Sequence, residues 1–119
     1  VSTVQPILVT PDPERLRAFY TGLLDDAETE RFPAEGPAFY LGLRVGDTAL
    51  GLTADDSVST GEPGRVLLGI EVPDVDALLP RVAELGGTAP SGSADMPWGQ
   101  RVAHVTDPDG NALNLTQQL

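Results

Sequence analysis

The stretch Ala49-Leu50-Gly51-Leu52-Thr53 returns sixty-odd residues later as Ala112-Leu113-Asn114-Leu115-Thr116, changed only at its middle residue. In each copy the leucines fall on alternate positions, the period of a half-buried strand. Each copy also follows a turn. Gly46-Asp47 is a two-residue hairpin candidate. Asp107-Pro108-Asp109-Gly110-Asn111 is a longer reversal in which Pro presets φ, Gly supplies positive φ, and Asp and Asn hold an Asx-type turn. The residues ahead of the second turn, Gln100 to Thr106, alternate Val102, His104 and Thr106 against Arg101, Ala103 and Val105. A second correspondence fixes the spacing. Pro11-Asp12 and Pro73-Asp74 stand 62 positions apart, Ala49 and Ala112 stand 63 apart, and the longer second turn accounts for the difference. A chain with two such matching landmarks is a tandem duplication.

Each half reads β-α-β-β-β. Val4 to Val9 is an apolar strand made irregular by Pro6, which cannot donate to a ladder. Asp12 caps a helix with Pro13 in its first turn, and Leu16, Phe19, Tyr20, Leu23 and Leu24 form its apolar stripe; it should end near Asp25. Glu28 to Phe32, Ala38 to Val45 and Thr48 to Thr53 are the remaining strands of the first half. The polar stretch 54–65, rich in Gly, Ser and Asp, is a connector. In the second half Val66 to Val72 is a strand, and Asp74 caps a helix with Leu78, Val82 and Leu85 inward. Gly86-Gly87 ends that helix, and Pro80 should bend it or displace its start. Thr88 to Asp95 is a poor strand, and Met96-Pro97-Trp98-Gly99 leads into the closing hairpin.

The chain has 119 residues, no Cys and a net charge of −11. Without Cys there is no disulfide, thiolate metal site or Cys nucleophile, and a cytoplasmic location is expected. No apolar run approaches a membrane span and no secretory signal is visible. The negative charge opposes binding to nucleic acid and to anionic membranes, and favours a cationic ligand. No phosphate loop, dinucleotide fingerprint, nucleophile elbow or zinc-protease motif is present. The Asp-rich turn lacks the bidentate Glu that a calcium loop requires.

Two tandem β-α-β-β-β modules, a helix carrying Phe19-Tyr20 and a closing Asp107-Pro108-Asp109-Gly110-Asn111 turn resemble the vicinal oxygen chelate superfamily, which includes glyoxalases, extradiol dioxygenases, fosfomycin-resistance transferases and bleomycin-resistance proteins. The resemblance implies an α+β fold: a curved, cleft-lining mixed sheet with helices outside, in a single domain 1–119. Module one covers about 3–53 and module two about 66–117. It also implies four metal-ligand positions, which fall on Gln5, Gly51, Leu67 and Asn114. A catalytic divalent metal needs about three good protein donors. Gly51 has no side chain, Leu67 is apolar, and two neutral amides do not suffice, so neither a metal nor another cofactor is expected. The metal-free bleomycin-resistance-like members sequester a flat, often cationic compound between two subunits. Trp98-Gly99 before the penultimate strand is similar to many of them.

The expectation is therefore a metal-free binding protein for a small organic molecule, with antibiotic sequestration as the specific form and a homodimer as the assembly. The alternative is an enzyme of the same fold, lyase, isomerase or dioxygenase-like, using side chains or an atypical metal site. The ligand-binding candidates are Gln5, Phe39, Gly51, Leu67, Glu71, Trp98, Arg101 and Asn114. Trp98 reads either as a core or interface anchor or as a stacking platform. Arg101 is a clamp or a surface charge, and Glu71 a cation-binding carboxylate or a strand-end acid. Gln5 and Asn114 orient a polar group or bridge strands. Phe39 and Tyr40 occupy opposite faces of one strand, one in the core and the other free for ligand. His104 is a satisfied strand residue or an acid-base group.

Overall fold

The structure is a computed structural model that describes residues 2–24 and 27–119. Among the described residues the chain forms eight strands and two helices, divided between two compact units, Val1–Ser59 and Thr60–Leu119. Unit one contains β1 (Ile7–Thr10), α1 (Pro13–Leu24), β2 (Ala27–Phe32), β3 (Tyr40–Val45) and β4 (Thr48–Ala54). Unit two contains β5 (Leu68–Glu71), α2 (Val75–Glu84), β6 (Ser93–Asp95), β7 (Gln100–Thr106) and β8 (Ala112–Gln118). The sheets have the equivalent orders β1-β4-β3-β2 and β5-β8-β7-β6, and in each the first strand runs parallel to its neighbour while the rest are antiparallel. The duplicated α+β plan is thus the observed one.

Strand alternation decides what each sheet turns toward its helix. In unit one Leu41, Leu43, Leu50 and Leu52 are buried on one face, and Leu16, Phe19, Tyr20 and Leu23 of α1 are buried with them. Phe19 and Tyr20 meet edge to face, centroids 5.1 Å apart. In unit two Ala103, Val105, Leu113 and Leu115 play the same part, with Val75 and Val82 of α2 buried. Leu50, Leu52, Leu113 and Leu115 among them are the leucines of the repeated pentapeptide, and their burial is what the repeat preserves. No helix among the described residues is long and apolar enough to cross a membrane.

Both helix entries follow their sequence. Asp12 Oδ1 accepts from the Arg15 amide at 3.1 Å, and Asp74 Oδ1 accepts from the Ala77 amide at 3.2 Å. The Val75 amide, another donor left over at a helix start, goes to Gln117 Oε1 on β8 at 2.8 Å. α2 begins at Val75, upstream of Pro80, and continues through it, so the proline does not displace the start. The closing turn is organised by Asp107, whose Oδ1 accepts from the Asp109 and Asn111 amides and whose Oδ2 accepts from Asn111 Nδ2.

The strand starts differ from the sequence reading. β1 opens at Ile7 because Pro6 has no N–H; only its carbonyl joins the sheet, accepting from the Gly51 amide. β5 opens at Leu68, leaving Val66 and Leu67 exposed ahead of it. β3 opens at Tyr40, although Phe39 already exchanges backbone bonds with Phe32 and Ala54. The weak stretch 88–95 contributes one bridge, Thr88 to Thr106, and the three-residue β6. Of the first helix's expected end, Leu24 is observed and Asp25 lies outside the described residues.

Candidate functional site

In unit one the residues on the face turned away from α1 follow from the register. Gly51 pairs with Ile7 on one side and Gly42 on the other, and Tyr40 pairs with Thr53 and Phe32. Side chains two apart on a strand share a face, so Ile7, Val9, Phe32, Tyr40, Gly42, Gly51 and Thr53 belong together. Two glycines stand side by side: Tyr40 reaches over Gly51, while a Cβ on Gly42 would meet Thr29 Oγ1 at 3.2 Å and Glu30 Cβ at 3.4 Å. Gln5 Nε2 donates to the Tyr40 hydroxyl at 3.1 Å. A Cβ placed on Gly51 would meet Gln5 Nε2, Tyr40 Cε1 and the Tyr40 hydroxyl oxygen, each at 3.2 Å. Phe32 stands beside Tyr40, ring centroids 6.5 Å apart and tilted by 40°. Ile7, Val9 and Phe32 are large apolar side chains left exposed on this face.

In unit two the face turned away from α2 carries Gly69, Glu71, Val102, His104, Asn114, Thr116 and Gln118. His104 pairs with Asn114 across the hairpin and Asn114 pairs with Gly69 on β5, so the three form one row. His104 Nδ1 lies 2.6 Å from Asn114 Oδ1. An amide oxygen only accepts, so Nδ1 carries the hydrogen and donates it. Nothing stands within 4 Å of a Cβ placed on Gly69. Further along, Gln118 Nε2 donates to Glu71 Oε1 at 2.9 Å, beside a shallow hollow of about 350 Å³ lined by Glu71, Val72, Pro73, Gln117 and Gln118.

The sequence candidates therefore separate into groups. Gln5 and Gly51 come together, joined by Tyr40. Asn114 joins His104, and Glu71 joins Gln118 on the same face. Phe39 is 61% exposed at the mouth of β3, outside the Gln5–Tyr40 group, and it is Tyr40 rather than Phe39 that covers Gly51. Leu67 is exposed just before β5. Trp98 is 67% exposed in the turn before β7, with Nε1 donating to Gln100 Oε1 at 2.8 Å, so it is not a core plug.

Arg101 lies on the opposite face, toward α2. Its Nε donates to Asp95 Oδ1 at 2.7 Å and its Nη1 to Asp76 Oδ2 of α2 at 3.0 Å. The hydrogen bond from Arg101 holds the Asp95 carboxyl below the usual carboxylate range, and Asp95 in turn raises the guanidinium. With both carboxylates engaged, this residue ties helix to sheet and is not turned toward His104. A matching clamp ties unit one: Arg31 on β2 donates to Glu14 of α1 and to Glu28, and the hydrogen bond from Arg31 holds Glu14 down to about 2.

Two contacts at the candidate sites escaped the sequence reading. Tyr40 could have been found from parity, since it shares a face with Gly42, the cross-strand partner of Gly51. His104 and Asn114 both lie five positions from Asp109, so a hairpin centred on that residue puts them opposite each other.

The family model described as the Glyoxalase/Bleomycin resistance protein/Dioxygenase superfamily matches residues 3–115. The chain belongs to that superfamily. Among solved structures, a glyoxalase/bleomycin resistance protein/dioxygenase family enzyme from Burkholderia phytofirmans PsJN superposes with a TM-score of 0.79 at 22% identity, covering 95% of each chain. TioX from Micromonospora sp. ML1 superposes with a TM-score of 0.76 at 24% identity, covering 99% of this chain and 97% of its own. At these identities the likeness concerns the fold alone. Among curated sequences, the uncharacterized protein Mb0911c of Mycobacterium bovis is 28% identical over 98% of this chain and 83% of its own length.

Membership of this superfamily raises the question of a divalent metal, and the donors at the four ligand positions do not fit one. Position 51 carries no side chain, and the Gln5 amide and the Tyr40 ring lie only 3.2 Å from where its Cβ would be. Asn114 offers a neutral amide oxygen that already accepts from His104. Leu67 has no donor atom. Among the described residues no group of three or more His, Asp or Glu side chains converges on one point.

Proposed function

We propose that this superfamily member is a cytosolic, metal-independent binder of a small organic molecule, acting by sequestration, with an antibiotic or related metabolite as its ligand. The observation that carries the reading is the hydrogen-bonded Gln5–Tyr40 pair packed over Gly51, a position with no donor side chain, at 3.2 Å from where a Cβ would be. A phenol and an amide over Gly51, with Phe32, Ile7 and Val9 exposed around them, are the makings of a site with an apolar wall and few polar anchors. The net charge of −11 and the Glu71 carboxylate favour ligands with cationic character. Trp98 offers an exposed indole for stacking. The proposal includes a homodimer, which gel filtration with light scattering tests; a strict monomer counts against that part.

The main test joins two measurements. Elemental analysis of protein purified without chelator is expected to find no stoichiometric transition metal. Titration with a panel of planar natural products, followed by the fluorescence of the single tryptophan, is expected to give saturable binding that EDTA does not alter. One tightly held metal per chain, with binding lost on chelation, overturns the reading. A second reading, an enzyme that uses side chains in place of a metal, draws on the His104–Asn114 hydrogen bond. Turnover abolished in His104→Gln with binding retained would favour it.

A further inference from the structure

We propose that His104, Asn114 and the bare floor at Gly69 form a subsite for a flat organic ligand that presents a hydroxyl or N–H donor, with His104 Nε2 as the acceptor. The inference rests on the binding reading above and names the chemistry its ligand must bring. Asn114 Oδ1 takes the hydrogen on His104 Nδ1, so Asn114 fixes the neutral tautomer with Nε2 bare. His104 is exposed, which leaves that lone pair accessible. Asn114 Nδ2 remains to donate to an acceptor on the same ligand. Gly69 completes the row on the far side of Asn114, and the absence of any atom within 4 Å of its missing side chain gives the ligand somewhere to lie. Donor, acceptor and flat floor thus occupy adjacent strands of one sheet face.

His104 is the only histidine, so its ring signals in an NMR spectrum need no assignment. Long-range ¹⁵N correlation at pH 8 is expected to show the Nδ1–H tautomer in the wild type and its loss in Asn114→Val. The binding probes are 2-pyridone and 7-hydroxycoumarin, each beside its N- or O-methylated counterpart, which lacks the donor. The parents are expected to shift the His104 ring signals saturably, and the methylated compounds to bind at least tenfold more weakly. Gly69→Val should abolish the shift with the tautomer retained, which separates lost space from a lost fold. An Nε2–H tautomer in the wild type, equal binding of methylated and parent probes, or no saturable shift overturns the subsite. Natural products that still quench Trp98 unchanged in His104→Gln and Asn114→Val would overturn the subsite and leave the sequestration reading standing.

Discussion

Gly110 and Gly99 make a matched pair for measuring what the closing turn requires. Both have φ near +90°, at +88° and +92°. Any L side chain there is strained by about 1–2 kcal/mol, so replacing either with Ala incurs that cost. The surroundings differ. A Cβ on Gly99 meets nothing within 4 Å, whereas a Cβ on Gly110 would lie 2.8 Å from the Gly61 carbonyl carbon and 2.9 Å from its oxygen. These are backbone atoms, and Gly61 is itself held by donating its amide to the Asp109 carbonyl at 2.8 Å. Retreat breaks that bond, about 1 kcal/mol, and overpacking adds about 1–3 kcal/mol. Gly110→Ala should therefore lose about 3 kcal/mol more than Gly99→Ala. At the scaling for a domain of this size that is on the order of 10 °C in Tm. Urea unfolding followed by far-UV circular dichroism measures both. Equal losses, within about 0.5 kcal/mol, would refute the claim that the 61–110 approach is a structural constraint.

Other outcomes can be checked alongside. The folded-state value of Glu14, about 2, lies below its ordinary 4.5, so the stability it lends is complete above that range and disappears as pH falls toward 2. Glu14 is half exposed and screened, so Glu14→Gln should cost at most about 1 kcal/mol at pH 7 and low salt, and nothing near pH 2. Arg101→Met should lower Tm and leave probe binding at His104 unchanged, because the guanidinium serves α2 and β6; altered binding would place it in the site. Gln117→Leu orphans the Val75 amide at the start of α2 and should cost about 1 kcal/mol in urea unfolding, with no change expected in the first unit's hydrogen exchange. Tyr40→Phe removes the hydroxyl that Gln5 reaches and should change ligand affinity several-fold with little effect on stability, since the ring still covers Gly51.

Parity along a strand is a local property, but burial is not: Phe39 was expected on the face of Leu41 and Leu43, with one of Phe39 and Tyr40 in the core, yet Phe39 is exposed and Tyr40 half-buried. Arg101 shares a face with Ala103 and Val105 as its spacing requires. What spacing cannot say is which face the helix covers. Asp76 on α2 decides that, and it draws Arg101 away from His104. Phe39 and Tyr40 show the same division: alternation separates them, but Tyr40 is placed by lying over Gly51, a partner reached only through the register of β3 on β4.

The repeat, both capped helices, the two hairpins and the vacancy of donors at positions 51 and 67 are written in the sequence, because turn chemistry, capping and side-chain type act over a few residues. The Gln5–Tyr40 contact and the two arginine clamps are not, because each joins residues far apart in the chain, on different strands or on a strand and a helix. Only the register of the sheets and the side on which each helix packs bring those atoms within hydrogen-bonding distance.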